Sequence, residues 1–402
     1  MRLELGDNSR MSLAEICGRA EINSRHRDVS LSTSCNSFEE RIPFVDVGLR
    51  SSDVIRPCYY ILQILGMWKP SNVKFEFAWR VYRGFVFFLW LGSLAAVMCL
   101  DFIHYGFKKE TIHMGEIMNS VPTCLNLLCP FIFTVYYFNR GQFLELVYSV
   151  QNVSHEWQQK LNRIARWYTL MSASLWALGA VFFIIHWLPF FSELWHYAVY
   201  ITVVVYATGW WATWLSVYGF VCHVHSLQID TVIEQMKSHE LKPTEILKKH
   251  HQLQTSLETT QADFNIVISF ALAYHVVDVI TFSFAYFSSS FGENYKLWQY
   301  AGGVLFDLVS IVVKLYPPSV VAAAVHRIVV QASKRCQLKV TSWTADLPVE
   351  DIQLFQYMAL CESDMGLKIL GIRITVDLTM KILMTLMTGA VSFVAFVIPK
   401  LQ

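Results

Sequence analysis

The stretch Thr388-Gly-Ala-Val-Ser-Phe-Val-Ala-Phe-Val-Ile-Pro-Lys-Leu-Gln402 closes an apolar run that begins near residue 378 and is interrupted only by Lys381 close to its start. A run of about 20 mostly apolar residues is what a helix needs to cross a bilayer core of about 30 Å. Taken alone, this run fits a tail anchor, a core helix, or the last wall of a multi-span protein. Composition separates these readings. The chain has 402 residues, of which 54% are hydrophobic, 15% aromatic and 16% charged. Soluble domains carry about 25% charged residues. With a mean hydropathy of +0.38, the whole chain, not one segment, is apolar. A multi-pass membrane protein is the class this implies. The formal net charge of +1 favours no charged partner, and no nucleic-acid partner is expected.

Working outward from the last run, seven such segments appear, at 84–103, 118–138, 167–190, 197–223, 264–288, 300–326 and 378–398. Residues 1–50 are polar and rich in Ser, Arg and Glu, without a cleavable signal peptide, and read as a disordered cytoplasmic tail. The nine cysteines contain no CxxC pair, so neither a disulfide framework nor a zinc site is indicated.

An excess of Lys and Arg beside the spans marks the cytoplasmic side. Eighteen of them flank one side, including Arg80, Arg83, Arg163, Arg166, Lys248, Lys249, Arg327 and Arg335. The other side has four: Lys108, Lys109, Lys296 and Lys400. This predicts a cytoplasmic N-terminus and an extracellular C-terminus. The outer connections, 104–117, 191–196 and 289–299, are short. The inner ones are long and helical in pattern: Ile229, Val232, Ile233 and Met236 recur at helical spacing, as do Ile246, Leu247, His250, Leu253 and Leu257 after a break at Lys242-Pro243. Helices four to six are therefore expected to extend into the cytosol, and residues 349–361 form an amphipathic helix opened by Pro348. The organisation is a tail (1–50), six spans with their cytosolic elements (51–377), and a seventh helix (378–402).

Several side chains stand out inside the spans. Asp307 and Lys314 lie seven residues apart in the sixth, near one helical face, as a contact for a ligand or ion, or as a structural pair. His275 and Asp278 share a face of the fifth, and two such residues do not make a metal site. Gly209-Trp-Trp-Ala-Thr-Trp214 and Tyr206 in the fourth, with Trp176 in the third, supply rings of the kind that line organic-ligand pockets or sit at membrane interfaces. Leu315-Tyr-Pro-Pro-Ser319 is expected to break or kink the sixth. His223-x-His225 and His250-His251 read as surface or cap residues. There is no glycine-rich phosphate loop, HExxH or GxSxG, so no enzyme and no cofactor is expected. Asn152-Val-Ser154 is a glycosylation sequon that the charge bias places in the cytosol.

In the seventh span, Ser392-Phe393 precedes five apolar residues, Val394-Ala-Phe-Val-Ile398, and then Pro399-Lys400. Upstream stand Gly371-Ile-Arg-Ile-Thr-Val-Asp377, His251-x-x-Leu and Phe220-Val-Cys-His-Val-His-Ser-Leu. Together with seven spans and an inside N-terminus, this resembles the insect gustatory receptor family and its gustatory-receptor-like relatives. Those carry Thr-Tyr, five hydrophobic residues, then Gln-Phe at this point. The resemblance covers roughly residues 50–402. It implies a ligand-gated, cation-conducting chemoreceptor in the plasma membrane, assembled in the bilayer as a homo- or hetero-tetramer with other gustatory receptor subunits, and opened by a small organic tastant or metabolite. By the same resemblance, Ser392, Phe393, Phe396, Pro399 and Lys400 belong to the pore. Trp176, Tyr206, Trp210, Trp211, Asp278, Tyr286 and Asp307 are the candidate ligand contacts. Pro399 and Lys400 replace the family's Gln and Phe, and a ring of four lysines near the mouth would repel cations, which implies a partner subunit or a different role. The alternatives are a solute transporter, which no internal repeat supports, and a G-protein-coupled receptor, which the reversed charge bias opposes.

Overall fold

A computed structural model describes residues 76–106, 155–187, 194–238, 241–287, 297–341 and 349–397, with 63, 64, 66, 128 and 132 besides. The elements run α1 (Glu76–Gly106), α2 (His155–Trp187), α3 (Leu194–Lys237), α4 (Pro243–Phe287), α5 (Leu297–Thr341), α6 (Val349–Cys361), β1 (Lys368–Ile369), β2 (Ile372–Arg373) and α7 (Val376–Val397). Spans one, four and six are contained in α1, α3 and α5; spans three, five and seven fall on α2, α4 and α7. The span expected at 118–138, the tail at 1–50 and the sequon at Asn152 lie outside the described residues, 128 and 132 excepted.

The helices outrun their apolar stretches. α3, α4 and α5 have 44, 45 and 45 residues, or about 66 Å each at 1.5 Å per residue, roughly twice the hydrocarbon thickness. Their segments Tyr197–Lys237, Pro243–Val279 and Gly302–Gln337 are long and apolar enough to cross a membrane. The remaining length is held in protein. α3 is the hub, packed on α1, α2, α4 and α5. It is apolar on all sides and buried nearly without a break from Val203 to Ile233, as a helix at the centre of a bundle must be.

The break at Lys242-Pro243 is where the sequence places it. α3 ends at Lys237, and α4 starts with Pro243 in its first turn, where the missing N–H costs nothing. Glu245 lies in that turn, its carboxylate accepting from the Lys242 N–H at 3.3 Å. The amphipathic helix expected at 349–361 is α6, which buries Asp351, Leu354 and Met358. The expected break at Leu315–Ser319 is absent. α5 runs through Pro317 and Pro318 as one helix. Where neighbouring groups take up freed backbone carbonyls, proline is tolerated inside a membrane helix.

The histidines also depart from expectation. His225 and His250 are fully buried, and His223 is half-buried. His225 Nε2 lies 2.7 Å from the Thr260 hydroxyl, which ties α3 to α4. His250 packs edge-on against Tyr357 of α6. These residues are internal fasteners of the bundle, and of the four only His251 stays at the surface.

Between α6 and α7 the chain makes an antiparallel hairpin, with Lys368 opposite Arg373 and Ile369 opposite Ile372. Its two-residue turn, Leu370-Gly371, has φ of 53° and 79°. A tight hairpin turn wants positive φ at both positions, and glycine meets that at no steric cost while leucine does not. The side-chain amide of Gln261 on α4 closes the outer edge, Nε2 donating to the Lys368 carbonyl and Oε1 accepting its N–H. Arg373 is partly buried beside Glu362, and that burial pushes its guanidinium below the usual range. Replacing Leu370 by Asn, which tolerates the left-handed region, is expected to stabilise the protein by about 1 kcal/mol. Thermal unfolding of the purified variant checks this, and a lowered melting temperature refutes it.

α7 opens on Thr375, whose hydroxyl accepts from the Leu378 N–H at 3.2 Å as a helix cap. Lys381, the interruption noted in the last span, pairs with Asp377 one turn earlier at 2.6 Å. The helix packs on α5 through Leu378, Ile382 and Leu386, while Met380, Met384 and Met387 stand exposed.

Candidate functional site

Two aromatic layers and one polar knot occupy the part of the bundle where α2, α4 and α5 meet α3. Trp176 of α2 reaches the α3 backbone. Its Nε1 donates to the Val205 carbonyl at 2.7 Å, and the absent side chain of Gly209 makes the room, since a Cβ there would stand 3.0 Å from the indole. Phe182 of α2 stacks on Phe306 of α5 at 5.6 Å and 5°, and Phe306 meets Trp211 of α3 at 5.6 Å. On the other flank of α3, Trp210 packs against Trp90 of α1 at 6.3 Å, and Tyr206 lies near Tyr82 of α1. Deeper, Trp214 stacks on Tyr218 at 6.1 Å.

The polar knot joins α4 to α5. His275 Nδ1 stands 2.7 Å from Asp307 Oδ1. Its Nε2 meets the Lys314 ammonium, and that ammonium lies 4.9 Å from the centroid of the Trp211 ring. Tyr274 donates its hydroxyl to Asp278 Oδ2 at 3.1 Å, and its ring meets that of His275 at 5.2 Å. Exposure is 5% for Asp278, 2% for His275 and Asp307, and zero for Lys314. A charge so enclosed needs a partner or a proton, and each of these groups has a neighbour that supplies one.

The candidate ligand contacts therefore do not meet at one point. Trp211, Asp278 and Asp307 belong to the knot. Trp176 is seated on α3 at Val205 and Gly209, and Trp210 and Tyr206 face α1. Tyr286 is within α4, but its side chain lies outside the described residues, as do those of Phe393 and Phe396 in α7. Ser392 is exposed on α7, and Pro399 and Lys400 lie outside the described residues. Sequence reading paired Asp307 with Lys314 and His275 with Asp278, each along its own helix. It missed that His275 bridges Asp307 and Lys314 across two helices, because the signal lies in the register of α4 against α5, not in either spacing. An open groove of about 460 Å³ lies elsewhere, between α4 and the turn before β1, lined by Gln254, Glu258, Gln261, Asn265, Asp364 and Lys368 among others. Among the described residues, no group of three His, Cys, Asp or Glu could hold a metal ion.

No protein-family model matches the chain, and no curated protein does. Among solved structures, the insect olfactory receptor OR5 from Machilis hrabei, in complex with eugenol, is similar over 85% of this chain and 97% of its own length, with a TM-score of 0.58 and 12% sequence identity. At that identity the likeness establishes the fold. The chain has the helical architecture of an insect chemosensory receptor, and its long apolar helices make it a multi-pass membrane protein.

Proposed function

We propose that this protein is a chemoreceptor of gustatory type acting as a ligand-gated channel in the plasma membrane. The observation that carries the reading is the shared fold over nearly the whole length of an insect receptor solved with a small aromatic ligand. The last helix supports it: α7 is apolar, attached through α5, and leaves a row of methionines uncovered. In this reading four chains, alike or mixed, bring their α7 helices together around a pore, and Ser392, Phe393, Phe396, Pro399 and Lys400 face or flank it. Cation conduction belongs to an assembly that dilutes or shields the Lys400 ring. The N-terminus is cytoplasmic and the C-terminus extracellular.

The ligand is a small organic molecule held among Trp176, Tyr206, Trp210, Trp211, Asp278, Tyr286 and Asp307. It opens the pore only by binding the open state more tightly than the closed one. The route is short, because α5 carries both Asp307 and the contacts to α7.

Two measurements test this. Live, unpermeabilised cells expressing a C-terminally tagged chain are expected to stain at the surface, with Asn152 unglycosylated. Under patch clamp, a panel of organic compounds is expected to evoke current, alone or with a partner subunit, and Trp176→Ala is expected to shift the half-maximal dose about tenfold, the loss of roughly 1.4 kcal/mol of differential binding. A hidden tag with a glycosylated Asn152 overturns the orientation, and uptake of a solute without current favours a transporter.

A further inference from the structure

Asp307 and Lys314 lie near one face of α5, but the seven residues between their positions are two helical turns, a rise of about 10.5 Å. An aspartate side chain is short, so the carboxylate and the ammonium are joined through a third group. His275 of α4 is that group. Its Nδ1 stands 2.7 Å from Asp307 Oδ1, and its Nε2 meets the Lys314 ammonium. The same imidazole meets Trp211 of α3 edge-on at 6.4 Å and the ring of Tyr274 at 5.2 Å. Three helices thus converge on one buried ring.

The partners set the direction of the hydrogen bonds. An ammonium has only protons to give, so Nε2 accepts. A neutral imidazole then carries its one proton on Nδ1, and Asp307 Oδ1 accepts it. Lys314 is completely enclosed. Two things hold its charge there: the face of Trp211, 4.9 Å away, and the line through the imidazole to a carboxylate.

We infer that His275 is a positioning residue of the candidate site: with its proton on Nδ1, it holds Asp307 by donating and Lys314 by accepting, and so keeps the lysine on the face of Trp211. Asp307 and Trp211 are two of the candidate ligand contacts, and His275 sets both from outside that group. That this bears on ligand binding rests on the function proposed above; the tautomer and the tie between α4 and α5 do not. The competing role is plain core packing, in which the ring matters for its contacts with Trp211 and Tyr274 and its nitrogens do not.

The test uses the full-length protein in lipid nanodiscs, with histidine labelled by nitrogen-15. The His275 resonance is identified by its loss in His275→Gln. It is expected to report a neutral ring protonated on Nδ1. A ring protonated on Nε2, or on both nitrogens, overturns the inference. Two variants then separate positioning from packing. Glutamine offers an acceptor for Lys314 and a donor for Asp307 but no ring, whereas phenylalanine offers the ring and neither hydrogen bond. The melting temperature of His275→Gln is expected to stay near that of the wild type and that of His275→Phe to fall by several degrees. A His275→Phe protein as stable as the wild type, or His275→Gln no better than His275→Phe, overturns the inference. Failure of His275→Phe to fold beside a folded His275→Gln is the expected order in its extreme form. With the compound of the patch-clamp panel that evokes the largest current, His275→Phe is expected to raise the half-maximal dose about tenfold and His275→Gln to leave it close to the wild-type value. Absence of any evoked current, with the expected resonance and order of stabilities in place, counts against the channel reading alone.

Discussion

Replacing Arg335 by Met is expected to destabilise the protein by about 3–5 kcal/mol, the cost of stranding a buried charge, and to remove most of it from the cell surface. Arg335 is near the C-terminal end of α5. Its Nε donates to Asp351 of α6 at 3.0 Å, with both side chains only 3–4% exposed, and its Nη2 donates to the Leu241 carbonyl at 3.0 Å. One guanidinium thus fastens α5, α6 and the entry to α4. Removing it takes that donor from a buried carboxylate and a part-buried carbonyl. Total stabilities of about 5–15 kcal/mol leave little margin for such a loss. The second arm removes both charges. Arg335→Met with Asp351→Leu is expected to recover most of the loss, since an apolar pair of similar volume often equals a buried ion pair. Thermal unfolding of the detergent-solubilised protein and surface labelling read both arms. An unchanged melting temperature for the single variant, or a double variant no better than the single, sinks the argument.

That pair also marks the limit of what a single sequence discloses. The membrane helices are legible because each answers to a one-dimensional rule: about 20 apolar residues, counted along the chain. The break at Lys242-Pro243 and the helix at 349–361 are legible for the same reason, since proline and helical periodicity are local signals. His225, His250 and Arg335 look like surface residues because nothing near them in sequence predicts a partner. Thr260, Tyr357 and Asp351 become their neighbours only once α3 to α6 have been aligned. The hairpin is missed for another reason: strands of two residues carry no period, and Leu370-Gly371 lacks the Asn or Asp that announces such a turn. The candidate site is intermediate. Each of Trp211, His275, Asp278, Asp307 and Lys314 is conspicuous as a polar or aromatic residue inside a span, but their joining into one network follows from the rotation of α4 against α5.

The interface of α2 with α3 is expected to tolerate nothing at Gly219. A Cβ there would stand 2.3 Å from Cε1 of Tyr168, 2.8 Å from Cζ and 2.9 Å from the hydroxyl. The tyrosine cannot step aside cheaply. It is buried, its hydroxyl lies 2.7 Å from Nδ1 of His223, and its ring meets that imidazole edge-on at 5.2 Å. Either the ring leaves this seat or α2 moves off α3, and Gly219→Ala is expected to cost about 1–3 kcal/mol, as overpacking does in other cores. A contrast comes from Gly389 on α7, where a Cβ meets nothing within 4 Å. Alanine there only improves helix propensity, by up to about 1 kcal/mol. The same substitution should therefore lower the melting temperature at one position and hold or raise it at the other. A mutant cycle isolates the cause. In a Tyr168→Ala background the penalty of Gly219→Ala is expected to vanish, because the atoms it would strike are gone. If it persists there undiminished, the close approach of α2 to α3 is not what requires glycine, and the packing described for this interface is in error.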